Sequence, residues 1–209
     1  MTQPVGVLDH LIFAAPVLED GVRQLERRFG LQAQPGGRHR GLGTHNALLG
    51  LDQGAYLEII APDPAQPPPA TPRPFGLDAL DHPHLAGWAV RCDDIDTRVA
   101  HARAQGYDPG DPVELQRATT QGALLRWRLT PNALAGGPVP FLIDWGDTAH
   151  PSTSTPPGRT LVSFHLEHPQ PEVLTGVLAA LAVEVPVEPG PTPGLVARIA
   201  GPGGSAELR

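Results

Sequence analysis

The sequence predicts an α+β protein built from tandem βαβββ modules, and three observations point there. An apolar strand, a helix and three further strand-like stretches recur in that order along three segments of the chain. The first two helical stretches close on a glycine, Gly30 and Gly106, and the strand-like stretches are parted by turn residues. The 26 prolines and 24 glycines are scattered through a chain that is 40% hydrophobic, which is the composition of a folded protein with stiff connections.

The first segment, residues 1–61, opens with "VLDHLIFAAP" and continues with Val17, Val22, Leu25 and Phe29 near helical spacing. Three strands follow in "LQAQPGGRHRG", "HNALLGL" and "AYLEIIAPDP". A Pro-rich linker spans 62–84, and proline there favours extended, semi-rigid backbone. The second segment, 85–147, reads "LAGWAVRC", then an Asp93–Asp94 pair suited to capping a helix that carries Ile95, Val99 and Ala102 on one face. Its strands are "PVELQRAT", "ALLRWRLTP" and "VPFLIDWG". After a second linker, 148–160, the third segment (161–209) begins with "TLVSFHLEHP" and a helix from Pro171 bearing Leu174, Val177, Leu178 and Leu181. It ends in "VEVPVEP", "LVARIAG" and "SAELR". One βαβββ unit covers only one face of its sheet, so the first two are expected to pair around a cleft, with the third appended.

Charge and motif content narrow the function. A net charge of -7 with no basic cluster speaks against nucleic acid and against an anionic membrane surface. All 15 basic residues are arginine, a compositional feature without functional weight. The single cysteine, Cys92, excludes an intrachain disulfide framework and a Cys-rich zinc site; it is expected to be buried and inert. The start "MTQPVGVLDH" has no basic, apolar leader pattern, and no stretch approaches the roughly 18 apolar residues of a membrane span, so a cytoplasmic protein is expected. No nucleophile elbow, phosphate loop or dinucleotide fingerprint appears, so no nucleotide cofactor is expected.

The chemistry-bearing candidates start with His10. Strand alternation sets it on one face with Leu8 and Ile12, which fits either a core histidine held by one hydrogen bond or a ligand or proton carrier. The stretch "GRHRGLGTHN" brings Arg38, His39, Arg40, His45 and Asn46 towards the cleft rim, where the cations suit an anionic substrate such as a carboxylate; the plain alternative is a solvated hairpin. Trp88, Trp127 and Trp145 lie in strands and either pack the core or stack on a substrate ring; Trp145 is kept as a substrate-binding candidate. His165 is read as a cleft residue, His168 as strand-end surface, and His82 and His84 as a surface turn.

"DHLIFA" with the "LED" helix, "GGRHRGLGTHNALLGL" with "YLEIIAPDP", "LAGWAVRCDDID" and "FLIDWGD" resemble the vicinal oxygen chelate superfamily, in its glyoxalase-like branch, over residues 5–147. The resemblance implies a divalent metal (Zn, Mn, Fe or Ni) in the cleft, held from the first and last strand of each paired unit. His10 and Glu58 fall on those positions in the first unit. In the second, Gly87 stands at the first-strand position and Asp144 offers a last-strand carboxylate, although a slip of one residue would turn it outward. Pairing with the third unit would offer Ser163 and Glu207 instead. The implied function is a metal-dependent lyase, isomerase or dioxygenase acting on a small oxygen-rich substrate. His10, Glu58 and Asp144 would hold the ion, and Glu58 or Asp144 would serve as base. The alternative is a metal-free small-molecule or drug-sequestering binding protein of the same fold. A homodimer through the third unit is a further expectation.

Overall fold

The computed structural model describes residues 6–30, 32–119, 122–155 and 159–209. The first five residues, part of the stretch on which the leader reading rests, and 156–158 of the second linker lie outside these. In the first module the apolar run forms β1 (Val7–Ala14), followed by α1 (Leu18–Phe29), whose Leu25 and Phe29 are buried and whose C-cap Gly30 is left-handed at φ 68. β2 (Gln34–His39), β3 (Thr44–Gly50) and β4 (Tyr56–Pro62) complete the module. The second repeats the order: β5 (His84–Arg91), α2 (Ile95–Ala104), β6 (Val113–Thr119), β7 (Leu124–Leu129) and β8 (Phe141–Asp144). Asp94 caps α2 as expected, accepting from Thr97 N at 3.0 Å.

The two modules join edge to edge into a closed barrel in the order β1-β4-β3-β2-β6-β7-β8-β5. In each module the first and last strands run parallel, with Ile12 opposite Glu58 and Ala89 opposite Phe141. The first strands of the two modules pair antiparallel, with His10 beside Ala89 and Ile12 beside Gly87. That ladder shifts register between Leu8 and His10, a bulge at Asp9. The bulge matters to the site, because adjacent residues of a regular strand point to opposite faces.

Closing the barrel produces two apolar cores. Ile12, Ile60, Phe75, Trp127, Leu129, Phe141, Ile143 and Trp145 cluster inside. Leu11, Phe13, Leu57 and Trp88 point outward and pack under α1, α2 and the third unit. That unit has the expected chain order, β9 (Thr160–His168), α3 (Pro171–Ala180), β10 (Val187–Pro189), β11 (Gly194–Gly201) and β12 (Gly204–Leu208). Its sheet order, β10-β9-β11-β12, differs from that of the barrel modules. β9 pairs parallel with β10, the strand directly after the helix, and antiparallel with β11. Its apolar face, with Leu166, Leu195, Ala197, Ile199 and Leu208, joins the outer core, and Phe164 meets Trp88 edge-on at 5.1 Å.

The second seam is short, with only Gly37 opposite Thr119 and Arg38 opposite Ala118. A Cβ on Gly37 would lie 2.3 Å from the Ala118 carbonyl oxygen and 2.9 Å from Arg117 Nη1. Gly37→Ala is therefore expected to push β2 from β6 and lower stability by about 1–3 kcal/mol, read as a lower midpoint in urea denaturation. A wild-type midpoint would mean that the two strands do not need this approach.

Candidate functional site

The barrel encloses a narrow cavity of about 60 Å³, room for about four waters. Apolar and aromatic side chains form most of its wall, and His10, His39, Asn46, Tyr56, Glu58 and Arg117 supply the polar groups. Each sits where strand alternation turns it inward: His10 from β1, Tyr56 and Glu58 from β4, Asn46 from β3, His39 from β2 and Arg117 from β6.

Three buried groups form the centre. Asp9 Oδ1 lies 2.6 Å from His10 Nδ1, so the carboxylate fixes the tautomer: Nδ1–H donates to Asp9, and Nε2 faces Glu58 Oε2 at 3.4 Å. Asn46 Nδ2 donates to Glu58 Oε1 at 2.6 Å, which turns the amide oxygen away from the carboxylate. That oxygen, Asn46 Oδ1, is buried and has no hydrogen-bond partner among the described residues.

Asp9 Oδ2 also accepts from Trp145 Nε1 at 3.0 Å and meets His150 Nε2 at 2.9 Å. Burial pushes its carboxyl upward, but the hydrogen bonds from His10 and His150 and their charges outweigh this and hold it well below the usual carboxylate range. Tyr56 stacks on His10 with ring centroids 4.6 Å apart. Burial, reinforced by the negative Asp9 and Glu58, pushes its phenol well above the ordinary value, so it remains a donor. His39 contacts Thr44 Oγ1 at 3.0 Å, and its Nε2 stands 3.8 Å from Glu58 Oε1. Burial lowers its pKa to about 4 against the pull of Glu58.

Of the residues the sequence singled out, His10, Glu58, His39, Asn46 and Trp145 converge on this cavity. Asp144 does not. The slip of one residue is realised: Phe141 and Ile143 face inward, while Asp144 faces outward, accepting from Ile95 N at 3.3 Å and Gly146 N at 2.9 Å. Arg38 and His45 alternate with inward His39 and Asn46 and so point out of the barrel, where Arg38 pairs with Asp63 at 3.2 Å. Arg40 is exposed. His165 lies on the third sheet near Glu167 and Glu188, outside the cavity, because that sheet packs on the barrel's exterior. Ser163 and Glu207 are exposed on the same unit. Cys92 is half-buried, and burial pushes its thiol up to about 12.

The sequence reading missed Asp9, Tyr56, Phe75, Arg117 and His150. Asp9 and Arg117 had a detectable signal, a charge at an otherwise strand-like position. Phe75 and His150 belong to the two linkers and had none.

The donor set does not fit the implied metal. A catalytic ion commonly takes three protein ligands. Here His10 and Glu58 face one another, the second module lines the cavity with Phe141 and Ile143, and Gly87 and Ala89 carry no donor. Among the described residues no group of three His, Cys, Asp or Glu is arranged to hold an ion.

A family model described as a glyoxalase-like domain matches residues 8–182. Among solved structures, a hypothetical protein from Staphylococcus aureus superposes with a TM-score of 0.64 at 12% identity, covering 89% of this chain and 86% of that one. Methylmalonyl-CoA epimerase from Mycobacterium tuberculosis gives a TM-score of 0.45 at 19% identity over 74% of this chain and 97% of its own. No curated protein sequence matches the chain. Among the described residues no helix is long and apolar enough to cross a membrane.

His39 makes the site's stability depend on pH. Its pKa is about 4 in the folded chain against an ordinary 6.5, so between those values the unfolded chain takes up a proton that the folded chain refuses. Stability is therefore full above about 6.5 and declines towards pH 4, by up to about 3 kcal/mol. Denaturant melts across that window are expected to show the decline in wild type and a shallower one in His39→Gln. Equal slopes would remove His39 as the cause.

Proposed function

The chain belongs to the glyoxalase-like domain family, and from that premise we propose that its barrel binds a small oxygen-rich molecule on which Glu58 moves a proton. The observation that carries this reading is the 3.4 Å approach of His10 Nε2 to Glu58 Oε2 inside an aromatic-walled cavity. A carboxylate that faces an imidazole inside such a cavity is placed to accept a proton and to return it.

In this reading Glu58 takes a proton from the carbon next to a ligand carbonyl. The C–H electron pair moves into the carbonyl to give an enolate, and Glu58 returns the proton to that carbon as the carbonyl re-forms. Asn46 positions the carboxylate through Oε1, so the proton is taken on Oε2, which faces His10 Nε2. Tyr56 supplies a donor for the enolate oxygen. Asp9 acts through His10 by holding Nδ1–H. No step requires a metal. A second reading, metal-free binding without chemistry, is favoured by the wall of Phe75, Trp127, Phe141 and Trp145 around the cavity.

Incubation in deuterium oxide with small hydroxyketones and α-keto acids, such as hydroxyacetone and pyruvate, tests the proposal by NMR. Wild type is expected to exchange the protons beside the carbonyl. Glu58→Gln is expected to lose about 100-fold or more of that rate while keeping its melting temperature. Binding without exchange would favour the second reading, and equal exchange by Glu58→Gln would remove the carboxylate from the chemistry.

A further inference from the structure

We infer that the cavity is built for a small organic carboxylate, whose anionic end is read by Arg117. The inference rests on the reading above for which site is used, and not on the proton step.

Arg117 is inside the barrel at 5% exposure, on the inward face of β6. It lines the central cavity and also the cleft beside His150. Among the described residues its side chain donates from Nη1 to the Gly36 carbonyl oxygen at 2.6 Å and makes no ion pair with a carboxylate. Buried charges are normally paired, because desolvating a cation is expensive. Other arginines reach a carboxylate: Arg38 meets Asp63, Arg128 meets Asp96 and Arg209 meets Glu167. Each of those is far more exposed than Arg117 and needs a partner less. The guanidinium fork has further N–H donors beyond the bond to Gly36, and a carboxylate accepts two of them in parallel.

The sequence placed the anion grip on the stretch holding Arg38, His39, Arg40, His45 and Asn46, whose two arginines are exposed. Arg117 supplies the cation from the opposite module. A second observation completes the ligand's outline: the same cavity presents Glu58 as an acceptor and Tyr56 as a donor. The polar wall therefore matches a short molecule carrying a carboxylate at one end and a carbonyl or hydroxyl next to it. The cavity of about 60 Å³ admits only a few heavy atoms unless the wall moves.

The test is calorimetric titration of the full chain with pyruvate, lactate and glycolate, each against its neutral amide, in wild type, Arg117→Lys and Arg117→Gln. The acids are expected to bind wild type saturably and their amides at least about tenfold more weakly. Arg117→Gln is expected to lose at least about tenfold for the acids, with Arg117→Lys between the two. Equal binding of acids and amides, full acid affinity in Arg117→Gln, or no saturable acid binding by wild type would each overturn the inference. Should Arg117→Gln fail to fold, the acid–amide comparison in wild type and the Arg117→Lys titration still decide it. The two proposals fail separately: carboxylate binding through Arg117 without proton exchange removes only the proton step. Exchange of hydroxyacetone with no preference for acids removes only the carboxylate.

Discussion

The buried carboxylate of Asp9 is the constraint on which the site depends. It is fully buried and held by three side chains from separate parts of the chain: His10 next to it, Trp145 just past β8, and His150 in the second linker. A desolvated carboxylate is tolerated only when its acceptor positions are filled, so these contacts stand or fall together. The bulge in β1 turns Asp9 to the side of His10, and the carboxylate then sets which imidazole nitrogen looks at Glu58. The orientation of His10 towards Glu58 thus follows from a local irregularity in one strand.

Much of the architecture was legible in the sequence because it depends on periodicity. The apolar runs "VLDHLIFA" and "YLEIIAP" mark β1 and β4, and strand alternation sends His10 and Glu58 to one interior. Gly30, Asp94 and Pro171 mark helix ends through chemistry that acts locally. The sheet order of the third unit was not legible: strand, helix and three strands along the chain fit more than one pairing scheme. In the one adopted, the unit packs against Trp88 and α1.

The site was legible only in part, for the same physical reason. Strand alternation is unforgiving of one residue, so Asp144 fell outside while Ile143 fell inside, and Arg38 and His45 fell outside beside inward His39 and Asn46. Asp9 was hidden because a bulge breaks the alternation from which the faces were read. Arg117 looked like one arginine among several on a polar strand until the closing of the barrel put it under cover.

Phe75 and His150 bear on how such a chain can change over generations. Segments between repeated modules ordinarily drift in length without harm, since they only join what they separate. Here one connector presses an aromatic ring against Gly87 and the other lends an imidazole to Asp9. Insertions or deletions in these joints would therefore reshape the cavity itself, making spacer length a heritable setting of its form even where every strand is left untouched.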